Sequence, residues 1–465
     1  MLIPSHLHGG PVSSSSDSLF LTCPAFAHIP NSHHSTTAME ELGVKLEQNI
    51  KTLNAYLDAS ELPRPSFDRD TPPAVLPHDA PPEVQDARQQ IMDASLRLFR
   101  LAAGPSEYIS HFRTGFNETA VVQWLLHFQI FDIVPPEGSI KYTDLAAKAN
   151  VAVVHAKSVI RMAMTSGLFE EPEPQHVGHS AISLYIRHNQ HERTRASWFC
   201  DVAAPAAAAM VSAHARWPQS LSRTHTAYNV ANETDLPFFE HLAQLPERKC
   251  HFENLMKAAG TARHLSVEHT IASFDWAGLG EATVVDVGGS TGHVSIALAR
   301  QFPSLIFVVQ DLPDVVVNAQ SDLRSLPDGV ALEKRITYLP HSFFNPQPVQ
   351  GAAVYFLRMI LHDWPTDDAV KILSQLVPVL GKNSRIIVVD SVMPDPGAVP
   401  LQVERVLRAQ DLTMLHSFNA QERAAEDWKE IFSKVDDRLE LKAIKQPPGS
   451  DMASIELVLR EGEAV

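Results

Sequence analysis

Residues 283–298 read TVVDVGGSTGHVSIAL: a β-branched run, an aspartate, a glycine-rich turn and an apolar stretch with helical spacing. Glycine permits a tight turn and a close approach of a ligand to the backbone, and a helix N-terminus behind such a turn attracts polar groups. The spacing is Asp286-x-Gly288-x-x-x-Gly292, with Gly289 between and Val287 where a dinucleotide fingerprint would carry its first glycine. That pattern disfavours a pyrophosphate and favours a ligand with a positive or zwitterionic end near Asp286. A glycine-rich turn that only packs is the bland alternative.

Working outward, the chain from about residue 272 alternates short β-branched runs with helical segments: TVVDV, LIFVVQD, ITYLP, AAVYFLRMI and RIIVVDSV. Such alternation predicts a mostly parallel sheet covered on both faces, with ligands at the carboxyl ends of the strands. LELKAIK and ASIELVLR, joined through Pro-Pro-Gly, suit a closing antiparallel hairpin. The strand ends carry the polar residues. Asp311, followed by Leu312, lies about twenty residues past the glycine turn, where an acid can accept two ribose hydroxyls. Ser342 and Phe343 follow the third strand; Phe343 could stack on a purine or belong to the core. Arg358 lies in the fourth strand and His362 at its end, before Asp363 and Trp364. Asp390 ends the fifth, and Glu422 follows a further helical segment.

The chain before residue 271 is read in four parts. Residues 1–38 are rich in Ser, His and Pro and read as a disordered tail. Residues 39–110 hold helices around a Pro/Asp-rich linker, LPRPSFDRDTPPAVLPHDAPPE, expected to be an extended connector. Residues 111–190 follow a winged-helix rhythm: a buried helix through ETAVVQWLLHFQIFDIVP, a short strand, Thr143 as helix cap, two helices about Asn150, and a small wing. Residues 191–270 read as a helical connector lining a substrate pocket, and 271–465 as the catalytic domain. A formal net charge of −16 argues against nucleic acid and anionic membranes as partners. Cys23, Cys200 and Cys250 lie in no disulfide or metal pattern, consistent with a reducing, cytoplasmic setting. No apolar run in the sequence looks long enough for a membrane span.

VVDVGGSTGHVSIAL, VVQDLP, YFLRMILHDW and FNAQERAAEDW, in that order, resemble a class I S-adenosylmethionine-dependent O-methyltransferase of the plant caffeate/flavonoid-type branch, in its fungal secondary-metabolite subgroup. The resemblance runs from about residue 100 to the end. It implies an α/β fold with a Rossmann-like seven-stranded sheet, an N-terminal winged-helix dimerisation domain, and a homodimer. It implies that Gly288, Gly289 and Gly292 hold the methionine end of the cofactor beside Asp286, that Asp311 and Leu312 hold the ribose, and that Ser342, Phe343 and Arg358 line the rest. His362 falls on the family's general base, with Asp390 and Glu422 as the acids that orient it. Ser342 departs from the family, which has an acid there; Asp390 replaces the plant Glu, and Ser290 interrupts the glycine turn.

The chemistry fits independently. A phenol titrates near ~10 and is protonated at neutral pH, whereas a histidine near ~6.5 is free to act as base. The reaction calls for no metal. Trp124, Phe128, Phe199, Met256, Met359 and Trp364 are candidates to line a flat, hydroxylated aromatic acceptor of phenolic polyketide type. Two alternatives stand beside methylation: a relative that keeps the cofactor but catalyses dehydration or a pericyclic step, and a winged-helix regulator with a vestigial enzyme domain.

Overall fold

The computed structural model describes residues 37–460. The tail expected over 1–38 and Cys23 thus lie almost wholly outside the described residues.

Eleven strands occur in chain order: β1 Ser139–Lys141, β2 His176–Gly178, β3 Ala282–Val287, β4 Leu305–Asp311, β5 Ile336–Pro340, β6 Val354–Arg358, β7 Arg385–Asp390, β8 Val392–Met393, β9 Arg423–Ala424, β10 Leu439–Lys445 and β11 Ala453–Leu459. Seven form one sheet in the order β10-β11-β7-β6-β3-β4-β5. The five from β3 to β7 are parallel, and β10 and β11 close the edge as the expected antiparallel hairpin. Alternation along each strand supplies two cores. Val285, Val287, Tyr355, Leu357, Ile386 and Val388 face one side. Val284, Val354, Phe356, Ile387 and Val389 face the other. Both faces are buried, which is why these strands read as unbroken apolar runs. Each buried Val, Leu, Ile or Phe contributes roughly 1.5–3 kcal/mol.

The N-terminal half packs in layers of helices. Helices α1 Ala38–Ala59 and α2 Pro82–Phe112 form a hairpin. Thr37 caps α1 through a capping box with Glu40. The Pro-rich linker is anchored: its Leu76 and Ala80 are buried against Leu53, Leu57 and Val84. Helix α2 carries a break at Gly104, before Pro105, where φ is 62°.

Beyond it lie α3 Gly115–His127, α4 Ile130–Ile133, α5 Tyr142–Ala149 and α6 Val153–Thr165. The single helix expected through residues 118–135 is broken at Phe128–Gln129, where Gln129 turns left-handed. Thr143 is not a cap; Lys141 occupies that position and the Thr143 hydroxyl bonds Asp144. Asn150 ends α5 in the left-handed conformation, as its sequence position implied. β1 and β2 pair antiparallel beside these helices.

One feature corrects the membrane reading. The helical run Gln190–Arg216, 27 residues with a π-helical stretch at Phe199–Ala203, is long and apolar enough by length and composition to cross a membrane. Its Trp198, Val202 and Ala206 are nonetheless core residues, packed with Tyr228, Phe238 and Leu255 and with Met414 and Phe418 from the far side of the chain.

Candidate active site

The glycine turn follows β3 directly. Gly288 and Gly289 both donate from their backbone nitrogens to the Gln310 carbonyl, at 2.8 and 3.0 Å. A Cβ on Gly288 would meet Ile360 at 2.6 Å and Phe343 at 3.4 Å, and one on Gly292 the Tyr338 hydroxyl at 2.7 Å. Side chains at these positions would fill the cradle, so the turn fits a ligand that approaches the backbone. Ser290, the departure from the family's glycines, adopts φ 52°, a conformation costing a non-glycine residue roughly 1–2 kcal/mol.

Two acids stand at this end. Asp286, 3% exposed, accepts from Ser295 Oγ at 2.6 Å. Burial holds its carboxyl up at about 6, against the pull of Ser295. Asp311 accepts the backbone N–H of Ser290 at 2.8 Å and of Leu312 at 2.7 Å. It therefore ties the glycine turn to the end of β4. Burial raises its carboxyl, and those two N–H groups oppose the rise. Arg358 donates to the Leu265 carbonyl at 2.7 Å, and its buried Nε has no partner among the described residues. Ser342 Oγ accepts the Phe344 N–H, at 3.4 Å. Phe343, Phe344 and Trp364 form an aromatic cluster with centroids 4.8–5.5 Å apart.

The end of β6 is bent for a reason. Met359 donates to the Val389 carbonyl and then turns left-handed, φ 55°. The chain swings into the 3₁₀ turn Leu361–Asp363, which carries His362. His362 is 5% exposed, and its Nδ1 lies 2.7 Å from Glu422 Oε1. A carboxylate there keeps a proton on Nδ1, so that Nε2 is the nitrogen at which the ring gains or loses its second proton. Nε2 is 3.7 Å from Asp363 Oδ1. Burial alone would push the imidazolium down, but Glu422, Asp363 and Asp390 outweigh it and hold His362 up at about 10. Burial likewise pushes Asp390 up to about 7 and Asp363 up to about 6. Asp390 does not touch the ring through a hydrogen bond; both its oxygens are buried without partners among the described residues.

Sequence reading missed the supports. Gln410 Nε2 donates to the same Glu422 oxygen at 2.8 Å, and Asp411 accepts the Glu422 N–H at 2.9 Å. Both project from the helix Leu401–Phe418. Their helical spacing gave no signal apart from any other polar residue. The substrate candidates scatter. Trp124 and Phe128 pack on each other at 4.7 Å within the core of α3, α5 and α6, not at the histidine. Phe199 is half exposed beside Val121, Val122, Met162 and Cys200. Met256 lies on the exposed side of Pro246–Thr261, and Met359 packs beneath the sheet. Trp364 alone joins the cluster next to Phe343.

Comparison with known proteins places this arrangement. Residues 220–436 match the family described as an O-methyltransferase domain. Residues 37–103 match the N-terminal domain of the trypacidin cluster transcriptional coactivator tpcD. The chain is 52% identical to the O-methyltransferase aoiF of Aspergillus oryzae, over 90% of this chain and 99% of the relative. It is 42% identical to the O-methyltransferase bik3 of Gibberella fujikuroi, over 92% of this chain and 94% of that one. Among solved structures, OxaC superposes with a TM-score of 0.71 at 18% identity, covering 90% of this chain and all of OxaC. LepI in complex with S-adenosylmethionine does so with a TM-score of 0.68 at 24% identity, covering 90% of this chain and all of LepI. These two likenesses concern the fold. With relatives this similar over nearly its whole length, the chain belongs to the S-adenosylmethionine-dependent O-methyltransferases.

Proposed function

We propose that the protein methylates a hydroxyl of an aromatic, phenolic polyketide-type small molecule of fungal secondary metabolism, in the cytoplasm, with His362 as general base. The observation that carries this reading is the buried 2.7 Å pair of His362 Nδ1 with Glu422. The cofactor supplies an activated methyl on a positively charged sulfur. Gly288, Gly289 and Gly292 hold its methionine end near Asp286, Asp311 and Leu312 hold its ribose, and Ser342, Phe343 and Arg358 line the remainder. His362 takes the acceptor's proton at Nε2; Glu422 fixes the ring and stabilises the imidazolium; Asp390 adds negative charge behind them. A base held at about 10 carries its proton at neutral pH. A positively charged ligand bound beside this cluster would oppose that proton, and the ring would then be closer to neutral in the loaded enzyme than in the free one.

Incubation with labelled S-adenosylmethionine and a panel of phenolic polyketides, with product masses read out, tests the reading. Mass gain of one methyl is expected; conversion without it would point to the dehydratase or pericyclase alternative. A pericyclic reaction enzyme shares this fold, with a TM-score of 0.68, so the product mass is the deciding readout. The coactivator match over residues 37–103 bears on the regulator reading but lies outside the winged-helix segment 111–190. A gel shift with random DNA at low salt addresses it, and no retention is expected for a chain of net charge −16.

The domain layout proposed with this reading is 39–110 N-terminal helices and Pro-rich linker, 111–190 a winged-helix dimerisation domain, 191–270 a helical connector lining the substrate pocket, and 271–465 the S-adenosylmethionine-binding catalytic domain. A homodimer is supported by Phe99, Leu101, Ile109, Phe112 and Phe116, exposed apolar side chains from α2 into α3. The apolar face of α3 itself argues less, because Val121 and Leu125 are used in its own core. Light scattering that finds only 51.3 kDa at micromolar concentration would contradict the dimer.

A further inference from the structure

A buried cation grips the turn that carries His362, and no role has been given to it. Arg423 is 0% exposed and follows Glu422 in sequence. Its Nη1 donates to the Leu361 carbonyl at 2.7 Å and its Nη2 to the Trp364 carbonyl at 2.6 Å. These carbonyls bracket His362 on the two sides of the 3₁₀ turn. The Nε has no partner among the described residues. Asp390, Glu422 and Asp427 are close enough to act on the guanidinium electrostatically, yet both of its terminal nitrogens go to main-chain carbonyls. The guanidinium lies 5.2 Å from the Trp428 ring, and Trp428 Nε1 in turn bonds the Ser391 carbonyl. β9, which begins with Arg423, pairs with β8 just past Asp390. The Glu422–Arg423 dipeptide is therefore registered on the end of β7 and reaches the histidine twice, once at the ring and once at the backbone.

The Leu361 carbonyl closes the turn by accepting the Trp364 N–H at 3.2 Å, and Arg423 is its second donor; the Trp364 carbonyl lies past the turn, and a buried carbonyl is costly to leave unpaired. Arginine's planar fork can satisfy two acceptors at once, whereas lysine presents a point charge. We infer that Arg423 is a positioning residue for His362, fixing the backbone of its turn so that the imidazole stays seated on Glu422. The inference rests on the reading of His362 as base.

The test uses the full chain and the acceptor that proves most active in the phenolic panel. Arg423→Lys keeps the charge and loses the fork. It should bind S-adenosylhomocysteine with unchanged Kd by calorimetry, leave KM near its parent value, and lose kcat roughly 10²-fold, the scale of a small misplacement. The loss should shrink as pH rises toward the acceptor's own pKa. It should vanish in the His362→Ala background, because there is then no base to place. A readout free of turnover is the ring-nitrogen resonance of His362 in histidine-labelled protein, identified by its absence from His362→Gln: in Arg423→Lys it should titrate at lower pH than in the parent.

An equal loss in the His362→Ala background, or a deficit constant through pH 10 with the resonance unmoved, would overturn the positioning role. Full activity of His362→Ala alone would overturn the base reading and this inference with it, a distinct result. Arg423→Gln, which retains one NH₂ donor, serves if the lysine variant does not fold. Failure of both to fold would assign Arg423 to the fold and overturn the inference.

Discussion

The two halves of the site, at the ends of β3–β4 and of β6–β7, are furnished with the same residue types and finished differently. At the first, the acids already have partners: Asp286 has Ser295, and Asp311 has two backbone N–H groups. At the second, Asp390 has no hydrogen-bond partner among the described residues, and Glu422 Oε2, Ser391 Oγ and Arg423 Nε are also without one. A satisfied acid holds a shape, here the glycine turn. An unsatisfied buried cluster stores electrostatic tension that a proton or an incoming charge relieves. The first half is built as a mould and the second as a charge reservoir.

The largest expected effect breaks the second half. His362→Ala should keep cofactor binding and lose kcat roughly 10²–10⁴-fold, with the deficit narrowing as pH approaches the acceptor's pKa. A deficit that stays constant through pH 10 in a folded variant would remove the base. Glu422→Gln and Asp390→Asn should each cost less. Because Glu422 is the strongest upward influence on His362, Glu422→Gln should also move the acid limb of kcat/KM to lower pH; an unmoved limb would separate the two residues.

Breaking the first half should act on affinity. Asp311→Ala removes charge-assisted bonds worth roughly 1.5–3 kcal/mol each, so calorimetry with S-adenosylhomocysteine should show a loss of at least about tenfold. Since Asp311 also organises the Ser290 N–H, Asp311→Asn should lose less. Equal, unchanged affinities in both variants would take Asp311 out of the pocket.

A smaller effect concerns stability against pH. His362 is raised from about 6.5 to about 10 on folding. Its contribution is present below pH 6.5 and is lost as pH rises through 10. Asp390, held up at about 7, binds its proton in the folded state at pH values where the unfolded chain has released it. It too makes stability fall as pH rises, from about 4 to 7. Melting temperature should therefore decline from pH 6.5 to 10, and decline less steeply in His362→Gln. An identical slope would mean that the ring is not held as a cation.

The smallest effect lies far from both halves. Asp93 on α2 accepts the Leu401 N–H at 2.8 Å, capping the helix Leu401–Phe418 from another part of the chain. Asp93→Ala should cost about 1–2 kcal/mol, the scale of a lost cap, read as a lower melting temperature.

Much of this was legible in the sequence, for reasons that can be named. β-branched runs with polar ends gave the strands and their ligand-facing termini, because a doubly covered sheet leaves polar groups only there. His362 and Glu422 were found through motif order, 60 residues apart, and the fold joins them. The packing of the linker's Leu76 and Ala80 was not legible, because proline density says how a segment bends, not what it packs on. The helix break at Gln129 was invisible because Phe128 and Ile130 both suit a helix, and a left-handed glutamine has no local signature. Trp124 and Phe128 were misplaced since an aromatic side chain reads the same in a core and in a pocket. Arg423 and Gln410 escaped because their partners lie at tertiary range.

The Asp93–Leu401 contact has a bearing on how such enzymes diversify. From Leu401 to Gln410 the helix advances about 13.5 Å at 1.5 Å per residue, and Gln410 bonds Glu422, which in turn holds His362. The N-terminal hairpin thus sits at one end of a helix whose other part supports the proposed reaction centre. Recombination that exchanged the first hundred residues among relatives would have to preserve that joint, or inherit a catalyst slightly out of true.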